Sequence, residues 1–319
     1  MPDTAGMPLL SFQHRRIRNK MKKKLSKSTK ARWITAYLFI LPAFLFWLVW
    51  FFLPVCQLFA LSFFQYNYAI PKNNHFVGLE NYLNLVKDSK FHLAIRHSLT
   101  VVVIAVPIQT VISMIMALLI NSNFKGRGLF RTLFYAPYVI SSVAVATVFI
   151  YLFAQNQPVT RLFARLFGME NIAWSISVRY ALHLVIMMFI WQQVGFYMIM
   201  YLSGLQSIPS ELLEVAAIDG ASKFQSFRYI TWPLLLPTTF LVVTYGLIAS
   251  FHIFDQISAV AGTGVIGSPG NALNTIMSFF YLNSFRYGDV GYGSAAAVFL
   301  FLMICIATAV QKKFLDKEV

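Results

Sequence analysis

Side chains that could do chemistry are scarce in this sequence, and two clusters of them interrupt long apolar runs. WQQVGFYM (191–198) carries Gln192, Gln193 and Tyr197, and FHIFDQ (251–256) carries His252, Phe254, Asp255 and Gln256. Amides, a carboxylate and an imidazole are costly at bilayer depth, so each marks either a path for a polar solute or a bond between helices. Asp255 has a third option, because it falls at the end of its apolar run, near the membrane interface. The residues alone leave these alternatives open.

A third stretch, ELLEVAAIDGASKFQSFRYITWPLL (211–235), reads like a piece of soluble protein. Pro209 and Ser210 are helix-start residues, Glu211 and Glu214 lie in the first turns, where the helix dipole favours acids, and Gly220 is a natural residue to end the helix. Ser222 and Gln225 then form an S-x-x-Q capping box, followed by Phe224, Phe227 and Ile230 near one face, until Pro233 is expected to stop the second helix. The segment is thus predicted as two short helices joined at a glycine hinge. It is too polar to span a bilayer. It is either a loop lying on the membrane surface or a docking element for a soluble partner.

Other chemistries find little support. GTGVIG (262–267) matches G-x-G-x-x-G, but it follows an apolar helix rather than a strand and is read as a loop. The sequence contains no G-x-x-x-x-G-K-[ST] phosphate loop, and its six histidines show no H-x-x-x-H pairing. Catalytic residues and metal ligands are therefore not assigned.

These side chains must be positioned by apolar helices. Of the 319 residues 58% are hydrophobic and 12% charged, about half the charged share of an ordinary soluble domain. Several runs of about 20 apolar residues are each long enough to cross a bilayer as a helix. Six spans are expected, at about 34–63, 95–120, 132–154, 180–203, 236–257 and 290–311. Cys56 and Cys305 sit inside such runs and are read as buried apolar side chains, not a disulfide. The net charge of +15 is concentrated in HRRIRNKMKKKLSKSTKAR (14–32) and lacks the aromatic interleaving that nucleic-acid binding uses. A basic tail (1–32) abutting a span is a cytoplasmic topology signal with affinity for anionic lipid. Residues 1–20 are a candidate dispensable extension, because Met21 opens a second basic start. Placing both termini inside also puts NSNFKGRGLFR (121–131), the 211–235 stretch and the C-terminal QKKFLDKEV in the cytoplasm, with most of the Lys and Arg. Among the outer segments, a short amphipathic helix is expected from about Glu80 and a surface helix within RLFARLFGMENIAW (161–174). The Gly-, Ser- and Asn-rich segment 259–290 is expected partly to re-enter the membrane, which irregular backbone tolerates only where protein or a water-filled cavity covers it.

The spacing within 211–235 resembles a known motif. Membrane subunits of binding-protein-dependent ABC importers carry a cytoplasmic E-A-A-x3-G-x9-I-x-L-P sequence, and here Glu214, Val215 and Ala216 precede Gly220, then Ile230, Trp232 and Pro233 at the same intervals. Val215 and Trp232 depart from the pattern by apolar exchange. LPAFLFWLVWFFLPVCQLFALSFFQY, FVGLENYLNLVKDSKFHLAIRHSLTVV, SFHIFDQISAV and YGSAAAVFLFLMI resemble the sugar-importing, maltose-permease-like branch, so the likeness covers almost everything after residue 33. AGTGVIGSPGNALNT (261–275) departs from the compact T-x-GGP turn usual there.

The resemblance implies an all-α integral membrane chain with the type I importer permease fold: a tail (1–32) and a transmembrane domain (33–319) with a coupling segment (204–235). It implies a multi-pass protein of the bacterial inner membrane that moves a sugar or oligosaccharide inward without itself being an enzyme. The partners it implies are a second homologous permease subunit, two ATPase subunits that hold ATP and Mg, and an extracytoplasmic solute-binding protein, with no nucleic acid and no cofactor on this chain. Glu214, Ala216, Asp219, Gly220, Phe224 and Phe227 would meet the ATPase. Gln192, Gln193, Tyr197, His252, Phe254, Asp255 and Gln256 would line the substrate path. A polyol or glycerol phosphodiester is the alternative cargo. An ion-coupled secondary transporter would need more membrane acids and an inverted repeat.

Overall fold

The computed structural model describes residues 32–122, 125–262 and 264–315. The basic tail, save Arg32, therefore lies outside the described residues, as do Asn123 and Phe124, Thr263 and residues 316–319. The chain divides into two units, at Leu58 and Phe59. The first holds most of one apolar helix, α1 (Arg32–Leu61), 30 residues long.

The second unit begins with a small antiparallel hairpin, β1 (Phe64–Gln65) with β2 (His75–Phe76), and the amphipathic helix α2 (Glu80–Lys87), as expected from its sequence. Glu80 in its first turn and Lys87 in its last complement the helix dipole. The Asp88 side chain caps the next helix by accepting from the Lys90 amide at 2.8 Å, and α3 (Ser89–Asn121) runs from there. Then come α4 (Arg127–Val139), α5 (Ser142–Leu152) and the surface helix α6 (Pro158–Phe167). The central helix α7 (Ala181–Gln206) leads into α8 (Ser210–Ile218), α9 (Lys223–Ser226) and α10 (Trp232–Phe251). Short helices α11 (Asp255–Ala261) and α12 (Ile276–Tyr281) precede α13 (Val290–Leu315).

Among the described residues five helices are long and apolar enough to cross a membrane, and six spans result if one bent pair counts as one. That pair is the departure from expectation. The run at 132–154 is not one straight helix: α4 and α5 meet at 97°, with Ile140 and Ser141 extended between them. A carbonyl freed by such a bend needs a partner inside a bilayer, and a side chain from α7 supplies one, as described below.

Helix α7 is apolar all round, which suits a helix enclosed by others rather than one with a lipid face. Its first half packs in a core with Val145, Phe153, Trp174 and Ile257, and its second half in another with Ala117, Leu235 and Val242. A third core joins Phe91, Phe251 and Ala295 from α3, α10 and α13. Helices α4 and α7 cross closely at Gly195, where any Cβ would strike the Phe134 carbonyl.

The expected stop at Pro233 is corrected. The chain stays helical from Lys223 through Pro233 into α10, because residues Phe227–Thr231 form a π-helical turn. A proline ring clashes with the carbonyl four residues back in a regular α-helix, and the wider turn before it relieves that clash. The Trp232 amide donates to Phe227, five residues back.

The segment after α11 is buried at Ala272–Ile276 and tied to α3. The Asn274 side chain donates to the Lys90 carbonyl at 3.1 Å, His97 Nδ1 to the Asn274 carbonyl at 3.1 Å, and the Ile276 amide to Ser98 Oγ at 3.0 Å. Of the atypical stretch 261–275, Ala272–Thr275 have the protein cover that irregular backbone requires, whereas Gly262, Gly264 and Val265 are exposed.

Candidate functional site

Two regions gather the residues singled out in the sequence. The first is a polar cavity of about 190 Å³. Gln192 and Gln193 reach it from the middle of α7, and His252, Phe254, Asp255 and Gln256 from the break between α10 and α11. Tyr138, Ile140 and Ser142 at the α4–α5 bend complete the polar wall. Tyr197 is not among its lining residues. It is buried one turn further along α7, packed with Met198, Tyr201 and Leu235, and its ring meets Phe196 edge-on at 5.5 Å.

Two of the glutamines form a chain across the cavity. Gln256 Nε2 donates to Gln192 Oε1 at 2.8 Å, and Gln192 Nε2 donates to the Ile140 carbonyl at 3.2 Å. Gln192 is 4% exposed and Gln256 7%. The bend frees the Ile140 carbonyl from helical bonding, and Gln192 satisfies it. These two side chains are thus ties between α11, α7 and the bend. Gln193, His252 and Asp255 are less buried, and among the described residues no side-chain tie of this kind holds Gln193 or Asp255. His252 Nδ1 donates to its own helix, to the Ile248 carbonyl at 2.9 Å. Aromatic faces stand nearby: Tyr138 stacks on Phe196 at 4.7 Å, and Phe254 lies 4.9 Å from the Tyr281 ring. Sequence reasoning overlooked Tyr138 and Ser142. The signal was YAPYVISS (135–142), a proline and two serines inside an otherwise apolar run.

The second region joins α7 to α10 and is built by local rules. Gly220 adopts φ +77°, and the Ala221 amide donates to the Ala216 carbonyl at 2.9 Å while Gly220 donates to Ala217 at 3.2 Å, closing α8 with a Schellman motif. The expected capping box is formed: the Ser222 amide donates to Gln225 Oε1 at 2.7 Å and the Gln225 amide to Ser222 Oγ at 3.3 Å. Glu214, Asp219, Gly220 and Phe224 are exposed. Ala216 is buried against its own chain, and Phe227 turns inward, 6.5 Å from the Trp232 ring. The exposed face holds residues that had not been assigned to meeting the ATPase: Leu212, Val215 and Ile218, spaced three apart along α8, with Ile218 85% exposed and Phe224 beyond them 75%. The i, i+3 spacing was the available signal. It also gives Val215 a place, on the exterior stripe.

A family model described as "Binding-protein-dependent transport system inner membrane component" matches residues 109–319. The arabinooligosaccharides transport system permease protein of Halalkalibacterium halodurans is 31% identical over 87% of this chain and 86% of its own. The sn-glycerol-3-phosphate transport system permease protein of Agrobacterium fabrum is 30% identical over 90% of this chain and 96% of its own. The crystal structure of a bacterial ABC transporter involved in the import of the acidic polysaccharide alginate includes a chain of the same fold, with TM-score 0.76 and 22% identity, covering 92% of this chain and 99% of that one.

Proposed function

Because the chain belongs to the inner-membrane components of binding-protein-dependent transport systems, in the branch of sugar and oligosaccharide ABC importer permeases, we propose that it is one of two permease subunits that pass a sugar or oligosaccharide into the cytoplasm. ATP, held with Mg on two partner ATPase subunits, supplies the energy, and an extracytoplasmic solute-binding protein delivers the cargo. Both termini and residues 204–235 face the cytoplasm of a bacterial cell.

One observation carries the coupling role. The segment between α7 and α10 is capped at both helix junctions yet exposes Leu212, Val215, Ile218 and Phe224. Large apolar side chains on rigid, non-spanning helices are costly in water and suit a groove on a soluble partner. Glu214 and Asp219 beside them are placed to meet basic groups there.

The cavity supports the cargo class. Its lining contains one carboxylate, amides, the hydroxyls of Tyr138 and Ser142, an imidazole and aromatic rings, but no Lys or Arg. Such a lining suits hydroxyl-rich, uncharged solutes and offers little to a phosphate or a uronate, which favours sugar over glycerol phosphate. At about 190 Å³ it is smaller than a typical small-ligand pocket of about 300–1,000 Å³, in keeping with a half-site completed by the second permease.

The test is co-purification of the ATPase with tagged permease, alongside uptake of radiolabelled arabinooligosaccharide or malto-oligosaccharide in membrane vesicles. Ile218→Asp and Gly220→Pro are expected to lose the ATPase and transport together while the protein still inserts; normal ATPase recovery with both variants would end the coupling assignment.

A further inference from the structure

The surface helix α6 (Pro158–Phe167) is fastened along one stripe only. Thr160 is buried, with its hydroxyl donating to the Ala154 carbonyl at 2.9 Å. Phe163 packs 5.8 Å from the Phe153 ring and edge-on to Trp174 at 5.2 Å. Val159 packs against the same core, whereas Arg161, Leu162, Arg165 and Leu166 are exposed. Successive residues of an α-helix turn by about 100°, so Leu162 and Leu166 form one exposed strip and Arg161 and Arg165 a second beside it. The helix has three sectors: aromatic toward the protein, leucine, and basic.

No single solvent suits the two outer sectors. Leu166 is 66% exposed, which water disfavours, and two guanidinium groups without an acid on the same helix are disfavoured by hydrocarbon. Both are satisfied only where hydrocarbon meets anionic groups. The position of α6 supplies that boundary. Five residues separate it from Leu152, the end of the bent spanning pair, so it starts within about 20 Å of a membrane span's end.

We propose that α6 lies in the membrane–water interface, with Leu162 and Leu166 among the acyl chains and Arg161 and Arg165 on the phosphates of anionic phospholipid. It braces the far end of α5, whose near end at the Ile140–Ser142 bend lines the polar cavity, so lipid composition acts on the segment that shapes that cavity.

The full-length protein, with Cys56 and Cys305 replaced by serine and Leu166→Cys carrying a fluorophore, is placed in nanodiscs of phosphatidylcholine alone or mixed equally with phosphatidylglycerol. Quenching by lipid brominated high on its acyl chains is expected in both, stronger with phosphatidylglycerol, and Arg161→Gln with Arg165→Gln should abolish that difference. A label quenched by aqueous iodide but not by brominated lipid overturns the proposal, as does a phosphatidylglycerol effect that survives the double variant. Shielding that appears only when a solute-binding protein is added assigns the face to that protein instead.

Discussion

At the scale of single residues, the glutamines of the cavity divide into two kinds. Gln192 and Gln256 hydrogen-bond across helices, whereas Gln193 and Asp255 are not held by such a tie. Removing one member of a buried hydrogen-bonded chain leaves its partners unpaired, at about 1–3 kcal/mol each. Gln192→Leu is therefore expected to lower the thermal stability of the purified protein by that order, and Gln192→Leu combined with Gln256→Leu by less than the sum of the two. Gln193→Leu should instead reduce sugar uptake with the melting temperature unchanged. Equal destabilisation by all three changes would show that the division is wrong. The sequence placed these residues in one class because each was a polar group in an apolar run. Hydrogen-bond partners 52 and 64 positions away are set by how the helices pack, which no local pattern records.

At the scale of elements, α4 and α7 meet where Gly195 faces the Phe134 carbonyl. A methyl group there forces the helices apart, and overpacking of this kind costs about 1–3 kcal/mol. Gly195→Ala should destabilise the protein by that amount and disturb the cavity, while Gly128→Ala on the same α4, where nothing lies within 4 Å, should leave the melting temperature alone. The apolar runs, the capping box, the turn at Gly220 and the helix at Glu80 were legible, because each depends on neighbours within a few positions; the surface helix expected within 161–174 was legible in part, since it runs from Pro158 to Phe167. The bend at Ile140 was not, since both halves are apolar and a serine pair is unremarkable in a membrane helix. Pro233 misled for a related reason. Its local meaning is a stop, but a π turn upstream lets the helix continue. Tyr197 was assigned to the path because a helix apolar on every side gives no signal of which way a polar tip points.

At the scale of the whole molecule, α7 carries both regions: Gln192 stands near its middle and the segment proposed to dock begins beyond its end at Gln206. At 1.5 Å per residue these lie about 21 Å apart along a single helix, so under the proposed function a stiff element would pass motion at one to the other. The proposed topology has a direct check. In a protein with Cys56 and Cys305 replaced, Ser222→Cys should react with a membrane-impermeant maleimide only in inside-out vesicles, and Asn73→Cys only in right-side-out ones; the reverse pattern would invert the arrangement. The bond from Gln192 to Ile140 also bears on biogenesis. A ribosome synthesises Ile140 52 residues before Gln192, an interval of about 3–10 s at 5–20 residues per second. Until then the carbonyl at the bend lacks its native partner, so the third span takes its final form only after the fourth has been made.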